Sequence, residues 1–465
     1  MAYYSRRLSP IAASLALTGA LAASTAASEE MRNVILIIGD GFDDQHVTMA
    51  RNYLSGSNGS LLLDEQPIRA AVQIETVSTD GVALYVADSA NTATTLATGV
   101  VTHIGRVGTG PDDKDLGTIA EMATTVGYRA GIVSTASITD ATPASFMAHV
   151  SNRSCENPEI ILGGKVYGSE FPGCPQDALD NGGPGSIAEQ IAKSSMYVVL
   201  GGGMKHFDKE ISGVEQSVLA AAKANGFSIA TSTQSLAAAD TDKRLLGLFS
   251  DSHLPVRMRG TDGRKAESAH TSMLNAVNDR LGSVSQPDVM ACEPNPDYAD
   301  TPPLAVLTES AIKHLAAGND KGFFLMVESA SIDKQSHARN PCGSIGEVEQ
   351  LEETLAVALA FAEKHANTLV IVTADHAQAA QIVPEPSLFA AFPIPVYSPG
   401  KVARIKTPEG GIMRINYATN NIQSTEHTGA NVPLFANHVG GELIKPFMRQ
   451  REVFTLMFNY LELKR

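Results

Sequence analysis

The amino-acid sequence has no run of basic residues, no C-x-x-C pair, no internal repeat and no low-complexity linker. Its 50 acidic residues outnumber 35 basic ones, and the formal net charge of −15 argues against nucleic acid or an anionic membrane as the main partner. Of the 465 residues only 18% are charged and 43% are hydrophobic, which argues against a mostly disordered chain. We therefore expect one large folded domain.

The first residues are typical of an export signal. Arg6 and Arg7 form a positive region, residues 11–23 an apolar region, and small residues that offer cleavage sites end near Ser28. The apolar run is short and contains Ser and Thr, which favours cleavage over a retained membrane anchor. We predict that residues 1–28 are a cleaved signal peptide and that the protein is periplasmic or secreted. Sec and twin-arginine export both stay open.

Four cysteines follow the signal, namely Cys155, Cys174, Cys292 and Cys342. An even number in an exported protein favours two disulfides, and chain order favours Cys155–Cys174 and Cys292–Cys342 among three pairings. A thiolate zinc site is the alternative, but such sites commonly contain closely spaced cysteine pairs, which this chain lacks.

Short β-branched runs alternate with longer helical patterns along residues 29–465, which we expect to form one domain. Patterns of buried strands lie at residues 33–38, 130–133, 197–200, 322–327 and 368–373, and a helical pattern lies at 349–365. This alternation predicts an α/β fold with a central, largely parallel sheet and helices on both faces. The proline-rich segment 384–417 predicts an irregular excursion off the sheet.

Polar side chains follow four of the predicted strands. Asp40 follows the first, Asp140 and Thr142 follow the second, and Glu328 and Asp375 follow the last two. In open α/β sheets, ligands bind at the carboxyl ends of the strands. One such aspartate is usually a turn residue or helix cap, but several carboxylates at one edge repel one another unless cations neutralise them.

The residue types indicate which metals could bind there. Asp333 and His337 are spaced by one helical turn, and His376 and His427 supply further imidazoles. Mixed imidazole and carboxylate ligands suit zinc, whereas oxygen-only sets such as Asp40, Thr142 and Glu328 suit magnesium. His149, His206, His314 and His365 have no carboxylate at ligand spacing and are interpreted as ordinary core or surface residues.

Ser89 is the candidate nucleophile. It precedes a stretch of small residues that is compatible with a helix, so it would lie at a helix N-terminus, where free N–H groups favour an anion. There is no G-x-S-x-G elbow, which weakens a Ser-His-Asp hydrolase, but zinc coordination can activate a serine instead. Taken alone, a serine in this position is more often only a helix cap, and Ser89 is a candidate because of the metal ligands around it.

Together these motifs resemble the alkaline phosphatases, in particular the bacterial periplasmic type. The stretches that carry the resemblance are Gly39-Asp40-Gly41, Asp88-Ser89-Ala90, Asp140-Ala141-Thr142-Pro143, residues 327–335, Asn340-Pro341-Cys342-Gly343, Thr373-Ala374-Asp375-His376 and His427-Thr428-Gly429. The resemblance implies a three-layer α/β sandwich, two zinc ions and one magnesium ion per chain, and a homodimer. It also implies hydrolysis of phosphate monoesters through a phosphoserine at alkaline pH. The family's two disulfides fall on the pairing favoured above.

The resemblance also implies a role for each site residue. Asp333, His337 and His427 would bind the first zinc ion, and Asp40, Asp375 and His376 the second, with Ser89 beside it. Asp40, Thr142 and Glu328 would bind magnesium, with Asp140 behind them. Arg153 would clamp the phosphate oxygens, and Lys334 would support the phosphate through water.

Two other classes share some of these features. A sulfatase or phosphodiesterase would carry a similar metal-bearing sheet, but the chain has no C-x-P-x-R stretch typical of sulfatases. Weak diesterase side activity stays open. A zinc- or phosphate-binding protein without turnover would use the same ligands, and the pairing of Ser89 with Arg153 argues against it.

Overall fold

The computed structural model describes residues 31–166 and 168–464, and the predicted signal peptide, residues 1–28, lies outside them. The described residues belong to one compact unit, Met31–Arg465. None of the helices in these ranges is long and apolar enough to span a membrane.

The strands of the described residues contain between two and nine residues. In chain order they are β1 (Arg32–Gly39), β2 (Ile68–Gln73), β3 (Thr76–Val77), β4 (Ala83–Leu84), β5 (Arg129–Ser137), β6 (Gly164–Val166), β7 (Ser169–Phe171), β8 (Val198–Gly202), β9 (Phe227–Ala230), β10 (Arg244–Leu248), β11 (Met258–Gly260), β12 (His270–Thr271), β13 (Val284–Ser285), β14 (Cys292–Pro294), β15 (Gly322–Ser329), β16 (Thr368–Ala374), β17 (Ala377–Gln378), β18 (Gln381–Val383), β19 (Lys401–Lys406), β20 (Ile412–Tyr417), β21 (His427–Thr428), β22 (Val432–Ala436) and β23 (Phe447–Arg449).

The helices vary from one turn to six. They are α1 (Asp44–Leu54), α2 (Ser89–Thr98), α3 (Ile119–Thr125), α4 (Ala141–Ala144), α5 (Ile187–Lys193), α6 (Met204–Phe207), α7 (Val218–Ala224), α8 (Thr233–Ala237), α9 (Met273–Val277), α10 (Leu304–Ala316), α11 (Ser331–His337), α12 (Pro341–Ala362) and α13 (Gln450–Tyr460).

The central sheet has ten strands in the order β23-β2-β22-β16-β1-β15-β5-β8-β10-β9. Seven consecutive strands, from β16 to β9, pair in parallel, and β22 alone runs in the opposite direction. Strands β1, β15 and β16 are buried almost throughout, which explains their continuous apolar sequences. The predicted α/β fold with a largely parallel sheet is confirmed.

Two groups of helices cover the sheet. One contains α1, α10 and α12, and the other contains α2, α4 and α13. Helix α12 shows why the sequence folds this way, because Val348, Leu351, Leu355 and Ala358 are buried along one side. It begins earlier than the predicted residue 349, because Asn340 caps it and Pro341 occupies the first turn.

The segment 384–417 is only partly irregular, in contrast to the prediction. Residues 384–400 contain no strand or helix, but β20 pairs with β19 on one side and with β18 on the other in a separate three-stranded sheet. Ile405, Ile415 and Tyr417 from this sheet are buried in a second apolar cluster, which includes Cys342. The buried apolar residues of β19 and β20 form part of this cluster. The prolines that precede them drew attention away from this strand pattern in the sequence. Both predicted disulfides, Cys155–Cys174 and Cys292–Cys342, are present.

Candidate active site

The site lies where the parallel strands β1, β15 and β16 end side by side. In the register of the sheet, Gly39 pairs with Ser329 on one side and with Ala374 on the other. The next residue, Asp40, donates its backbone N–H to the Ser329 carbonyl at 3.1 Å. The sheet therefore brings Asp40, Glu328 and Asp375 together from distant parts of the chain, as the sequence predicted.

An inner cluster contains Asp40, Asp375 and His376, whose ligand atoms lie within 4.8 Å of one another. All three side chains are buried. Asp375 Oδ1 accepts the backbone N–H groups of Gly41 and His376 at 3.0 and 2.8 Å. His376 Nδ1 lies 3.2 Å from the Ala377 carbonyl, to which it donates. Its Nε2 lone pair therefore faces the two carboxylates, as a metal ligand requires.

An outer cluster contains Asp333, His337 and His427, again within 4.8 Å. Helix α11 places the first two one turn apart, and His427 comes from β21. The His337 and His427 Nδ1 atoms hydrogen-bond to the carbonyls of Thr425 and Ala87. Their Nε2 atoms then point at each other, 3.0 Å apart. Two lone pairs approach this closely only when a proton or a metal cation lies between them.

The clusters adjoin each other at Gly41. This glycine has a φ of +66°, and a Cβ atom there would lie 2.9 Å from the Asp333 Cβ atom. Glycine is needed on both counts, because other residues rarely adopt this conformation and would collide with Asp333. The Gly-Asp-Gly turn thereby allows the carboxyl edge of β1 to pack against α11.

Burial and charge act together on the carboxylates. Burial and the carboxylates of Asp375 and Asp333 raise the pKa of Asp40 well above its usual value. Burial, with Asp140 and Asp375, raises the pKa of Glu328 to about 8. Carboxylates held this close ionise together only where cations offset their charge.

The oxygen-only set is less tightly joined. Glu328 accepts a short hydrogen bond from Ser134, and Asp40 is shared with the inner cluster. Thr142 lies in α4 with its Oγ1 atom buried, and no hydrogen bond reaches that atom within the described residues. Asp140 does not bond to Glu328 and instead forms ion pairs with the side chains of Arg153 and Lys334.

Ser89 opens α2, but it is not the helix cap. Asp88 caps the helix by accepting the Asn91 N–H at 3.1 Å, which contradicts the alternative that Ser89 serves only as a cap. The Ser89 Oγ atom lies 3.1 Å from His376 Nε2 and donates to Asp40 Oδ1 at 3.3 Å. The hydroxyl therefore lies on the inner cluster, and it also lines a cavity of about 940 Å³.

Two cations face the same cavity beside Ser89. Arg153 donates to Asp140 at 2.8 Å, and Lys334 donates to the other Asp140 oxygen at 2.6 Å. Burial opposes ionisation of Asp140, but Lys334 and Arg153 outweigh it and hold its pKa well below the usual value. Asp140 thus fixes a guanidinium and an ammonium next to a hydroxyl, which is an arrangement suited to a phosphate.

Sequence reasoning missed His253, which also lines this cavity. Its Nδ1 atom accepts the Ser137 N–H at 3.1 Å and lies 3.8 Å from Asp140. Burial and Lys334 lower its pKa to about 4. The available signal was its position shortly after β10, another strand that ends at this edge.

Two histidines interpreted as ordinary have carboxylate partners in the fold. His149 Nε2 lies 3.0 Å from Glu121, and His206 Nε2 lies 3.0 Å from Glu156 in the cavity wall. These partners are distant in sequence, so spacing could not reveal them. His314 donates to the Ser310 carbonyl, and His365 stacks on Phe361, as expected of ordinary residues.

Comparisons with known proteins agree with this geometry. The family described as alkaline phosphatase matches residues 31–395. The chain is 40% identical to alkaline phosphatase of Escherichia coli, over 93% of this chain and 86% of that one. It is 37% identical to alkaline phosphatase H of Pseudomonas aeruginosa, over 96% and 88%.

A solved structure shares the fold. Alkaline phosphatase of the Antarctic bacterium TAB5 superposes with a TM-score of 0.61 at 22% identity, covering 94% of this chain and 99% of that one. The relatives at 40% and 37% identity are named as phosphatases, which argues against a binding protein without turnover. The chain belongs to the alkaline phosphatase family and is a metal-dependent enzyme that hydrolyses phosphate monoesters.

Proposed function

We propose that Ser89 is the nucleophile and carries the phosphoryl group as a covalent intermediate. The observation that supports this is the position of its Oγ atom, which touches the inner cluster and faces the cavity that Arg153 also lines. The N-terminus of α2 adds free N–H groups near the same oxygen, which favour negative charge there. No other residue needs to supply the attacking oxygen.

Arg153 and Lys334 hold the phosphate in this proposal. The Arg153 guanidinium binds two phosphate oxygens in its planar fork, and Asp140 fixes its orientation. Lys334 donates to the other Asp140 oxygen and binds the phosphate through a water molecule. Because Asp140 binds both cations, one carboxylate sets the position of both phosphate contacts.

The donors of the three metal sets fit the metals that the sequence implied. We assign zinc to the inner and outer clusters and magnesium to Asp40, Thr142 and Glu328. Asp375 Oδ2 and Thr142 Oγ1 are buried without a hydrogen-bond partner among the described residues, as expected of atoms that face a cation. When bound, these ions supply positive charge that favours the Ser89 alkoxide and stabilises charge on the phosphate and leaving oxygens.

The chemistry then balances in two displacements. Ser89 gives its hydroxyl proton to solvent, the Oγ–P bond forms as the ester P–O bond breaks, and the departing alkoxide takes a proton from solvent. A water molecule that has lost one proton to solvent then bonds through its oxygen to phosphorus as the Oγ–P bond breaks, and the Ser89 oxygen takes up a proton from solvent while inorganic phosphate leaves. Both attacks need a deprotonated oxygen, so we expect an alkaline optimum.

Acid quenching tests the intermediate. After brief mixing with p-nitrophenyl phosphate and an acid quench, peptide mapping is expected to find phosphate on Ser89. Phosphate on another residue, or none while substrate is being consumed, would contradict the covalent route. Parallel wells with bis-p-nitrophenyl phosphate and p-nitrophenyl sulfate measure diesterase and sulfatase side activity against the monoester.

We infer removal of residues 1–28, export to the periplasm or medium, one domain over residues 29–465, and assembly into a homodimer. Exposed apolar side chains on α9 and in the segment 384–400 support a subunit contact. Met273 on α9 is 91% exposed, and Phe389 in the segment is 61% exposed. N-terminal sequencing of the exported protein and light scattering of the purified protein test the first and last of these.

A further inference from the structure

A second cavity, of about 500 Å³, adjoins the catalytic one. Lys334 and His337 line both, so the two spaces meet beside the outer cluster. The ionisable side chains that line this second cavity are all basic, namely Lys265, Lys334, His337, Arg339 and Lys401. We call this second cavity the basic pocket. No carboxylate of the described residues lines it, which is unusual in so acidic a protein.

Three of these cations are not neutralised by an acid. Within the described ranges, Lys265 and Lys401 make no side-chain hydrogen bond or ion pair, whereas Lys334 binds Asp140. Arg339 is only 2% exposed, and its guanidinium donates to the Asn420 and Gln423 carbonyls and the Asn420 amide oxygen. Its Nε atom is buried without a partner. A guanidinium that bonds only to neutral oxygen atoms keeps its net positive charge.

The position of the basic pocket relates it to the leaving group. In an in-line displacement the leaving oxygen departs on the side of phosphorus opposite the nucleophile. Ser89 lies on the inner cluster, so the leaving group extends toward the outer cluster, where His337 forms part of the pocket wall. A group attached a few bonds beyond the leaving oxygen would therefore approach Lys265 and Lys401.

We propose that the basic pocket binds a second anionic group carried by the leaving group, either a carboxylate or another phosphate. This inference rests on the proposed role of Ser89, because that role sets the direction of departure. The enzyme then prefers monoesters of acidic alcohols over otherwise identical neutral ones. Lys265 and Lys401 determine this specificity, and they take no part in bond breaking.

Matched substrates isolate the effect. 6-Phosphogluconate and glucitol 6-phosphate differ only in a carboxylate against a hydroxymethyl group, as do 3-phosphoglycerate and glycerol 3-phosphate. We expect kcat/KM to favour the acidic member of at least one pair by about fivefold at low salt, the size expected of exposed charge pairs. The preference falls as sodium chloride is raised, because salt screens exposed charges.

The double variant Lys265→Gln/Lys401→Gln tests the residues. Both side chains reach solvent and make no side-chain bonds, so the fold is retained, and a thermal melt verifies this. We expect the preference to disappear through a raised KM for the acidic substrate, with glucitol 6-phosphate unaffected. Lys265→Arg/Lys401→Arg keeps the charges and retains the preference.

The control is Lys193→Gln/Lys223→Gln, which removes the same charge from exposed positions on α5 and α7. If this variant loses the preference as well, a general field is responsible and the pocket is not. Equal turnover of acidic and neutral substrates in both pairs overturns the inference but leaves monoester hydrolysis intact. Absence of phosphate on Ser89 in the acid-quench experiment contradicts the proposed function instead, so the two failures are distinguishable.

Discussion

The inner and outer clusters use similar residue types but differ in burial and in the groups that orient their imidazoles. The inner ligands Asp40, Asp375 and His376 are at most 2% exposed, whereas His337 and His427 are half-buried. The inner ligands follow the sheet strands β1 and β16, and the outer ones come from α11 and β21. The inner cluster, which Ser89 contacts, is therefore closed off from solvent, whereas the outer cluster is partly open to it.

The supports of the imidazoles differ in the same way. His376 is oriented by the main chain of its neighbour Ala377. His337 and His427 are oriented by carbonyls from two other segments, those of Thr425 and Ala87. Local opening of either segment frees an outer ligand, whereas freeing the inner one requires disruption of the sheet edge.

The largest expected effect is on kcat, and it comes from a change at the inner cluster. Ser89→Ala removes the attacking oxygen, so we expect kcat to fall roughly a thousandfold or more. Arg153 and both clusters stay in place, so inorganic phosphate still binds, as calorimetry would measure. Turnover close to that of the unaltered enzyme would refute the covalent route.

Metal removal compares the clusters directly. With a chromophoric chelator we expect two phases of zinc release, the first from the outer cluster and at least roughly tenfold faster, because its supports open locally. The fast phase is expected to abolish turnover with a small change in melting temperature, and the slow phase to lower that temperature further. His427→Ala lacks the fast phase; a slow phase missing from that variant instead would reverse the assignment.

An effect of intermediate size, on zinc affinity, is expected from changing Gln378, which bonds to the carboxylate of the outer cluster. Gln378 donates to Asp333 Oδ1 at 2.7 Å from a buried position. In Gln378→Leu we expect zinc affinity at the outer cluster to fall about 10- to 100-fold, as for other groups that orient a ligand.

Gln190→Leu is the matched control for this change. Its side chain is also buried but bonds to the His149 and Gly185 carbonyls, remote from either cluster. It should lower the melting temperature without altering zinc affinity. If both variants change zinc affinity alike, the role of Gln378 is general stability.

The smallest expected effect is on the free energy of unfolding, and it comes from a histidine–carboxylate pair outside both clusters, His149 and Glu121. Burial lowers the pKa of His149, but Glu121 outweighs it and raises the pKa overall; in return, His149 outweighs burial and lowers the pKa of Glu121. A histidine with a raised folded pKa stabilises the protein below its unfolded pKa, about 6.5, and loses this as pH rises through the folded value.

The lowered pKa of Glu121 contributes stability above the unfolded pKa of a glutamate, about 4.3, and this contribution is lost as the pH falls below it. We therefore expect His149→Gln to lower the free energy of unfolding at pH 6 by roughly 1 kcal/mol and by less at pH 9. Chemical denaturation with chelator present at both values measures the difference. A cost that does not change with pH would show that packing, and no charge, holds this pair together.

Much of the inner site was predictable because its geometry is a property of parallel strands. Apolar runs predict β1, β15 and β16, and residues that follow neighbouring parallel strands must meet at one edge. Asp40 and Asp375 could therefore be grouped without coordinates. The spacing of Asp333 and His337 likewise indicated that both lie on one side of a helix.

The outer surroundings could not be predicted in this way. Lys265 lies in a connection, Lys401 begins β19 in a separate sheet, and Arg339 bonds to a distant loop, so no spacing along the sequence groups them. Nor does the local sequence of β22 indicate that it reverses direction, which its pairing partners decide. Such features depend on tertiary packing, which a single sequence does not encode in any short pattern.

The reversal of β22 has a consequence for how the enzyme matures. Because β22 runs against β16, its first residues lie at the carboxyl edge, and His427 just before it can join ligands that follow parallel strands. The ligands are thereby recruited from Asp40, near the start of the sheet, to His427, near the end of the chain. Contacts of such long range form late in folding. We therefore expect metal loading to follow completion of the sheet, so that activity reports on a finished fold.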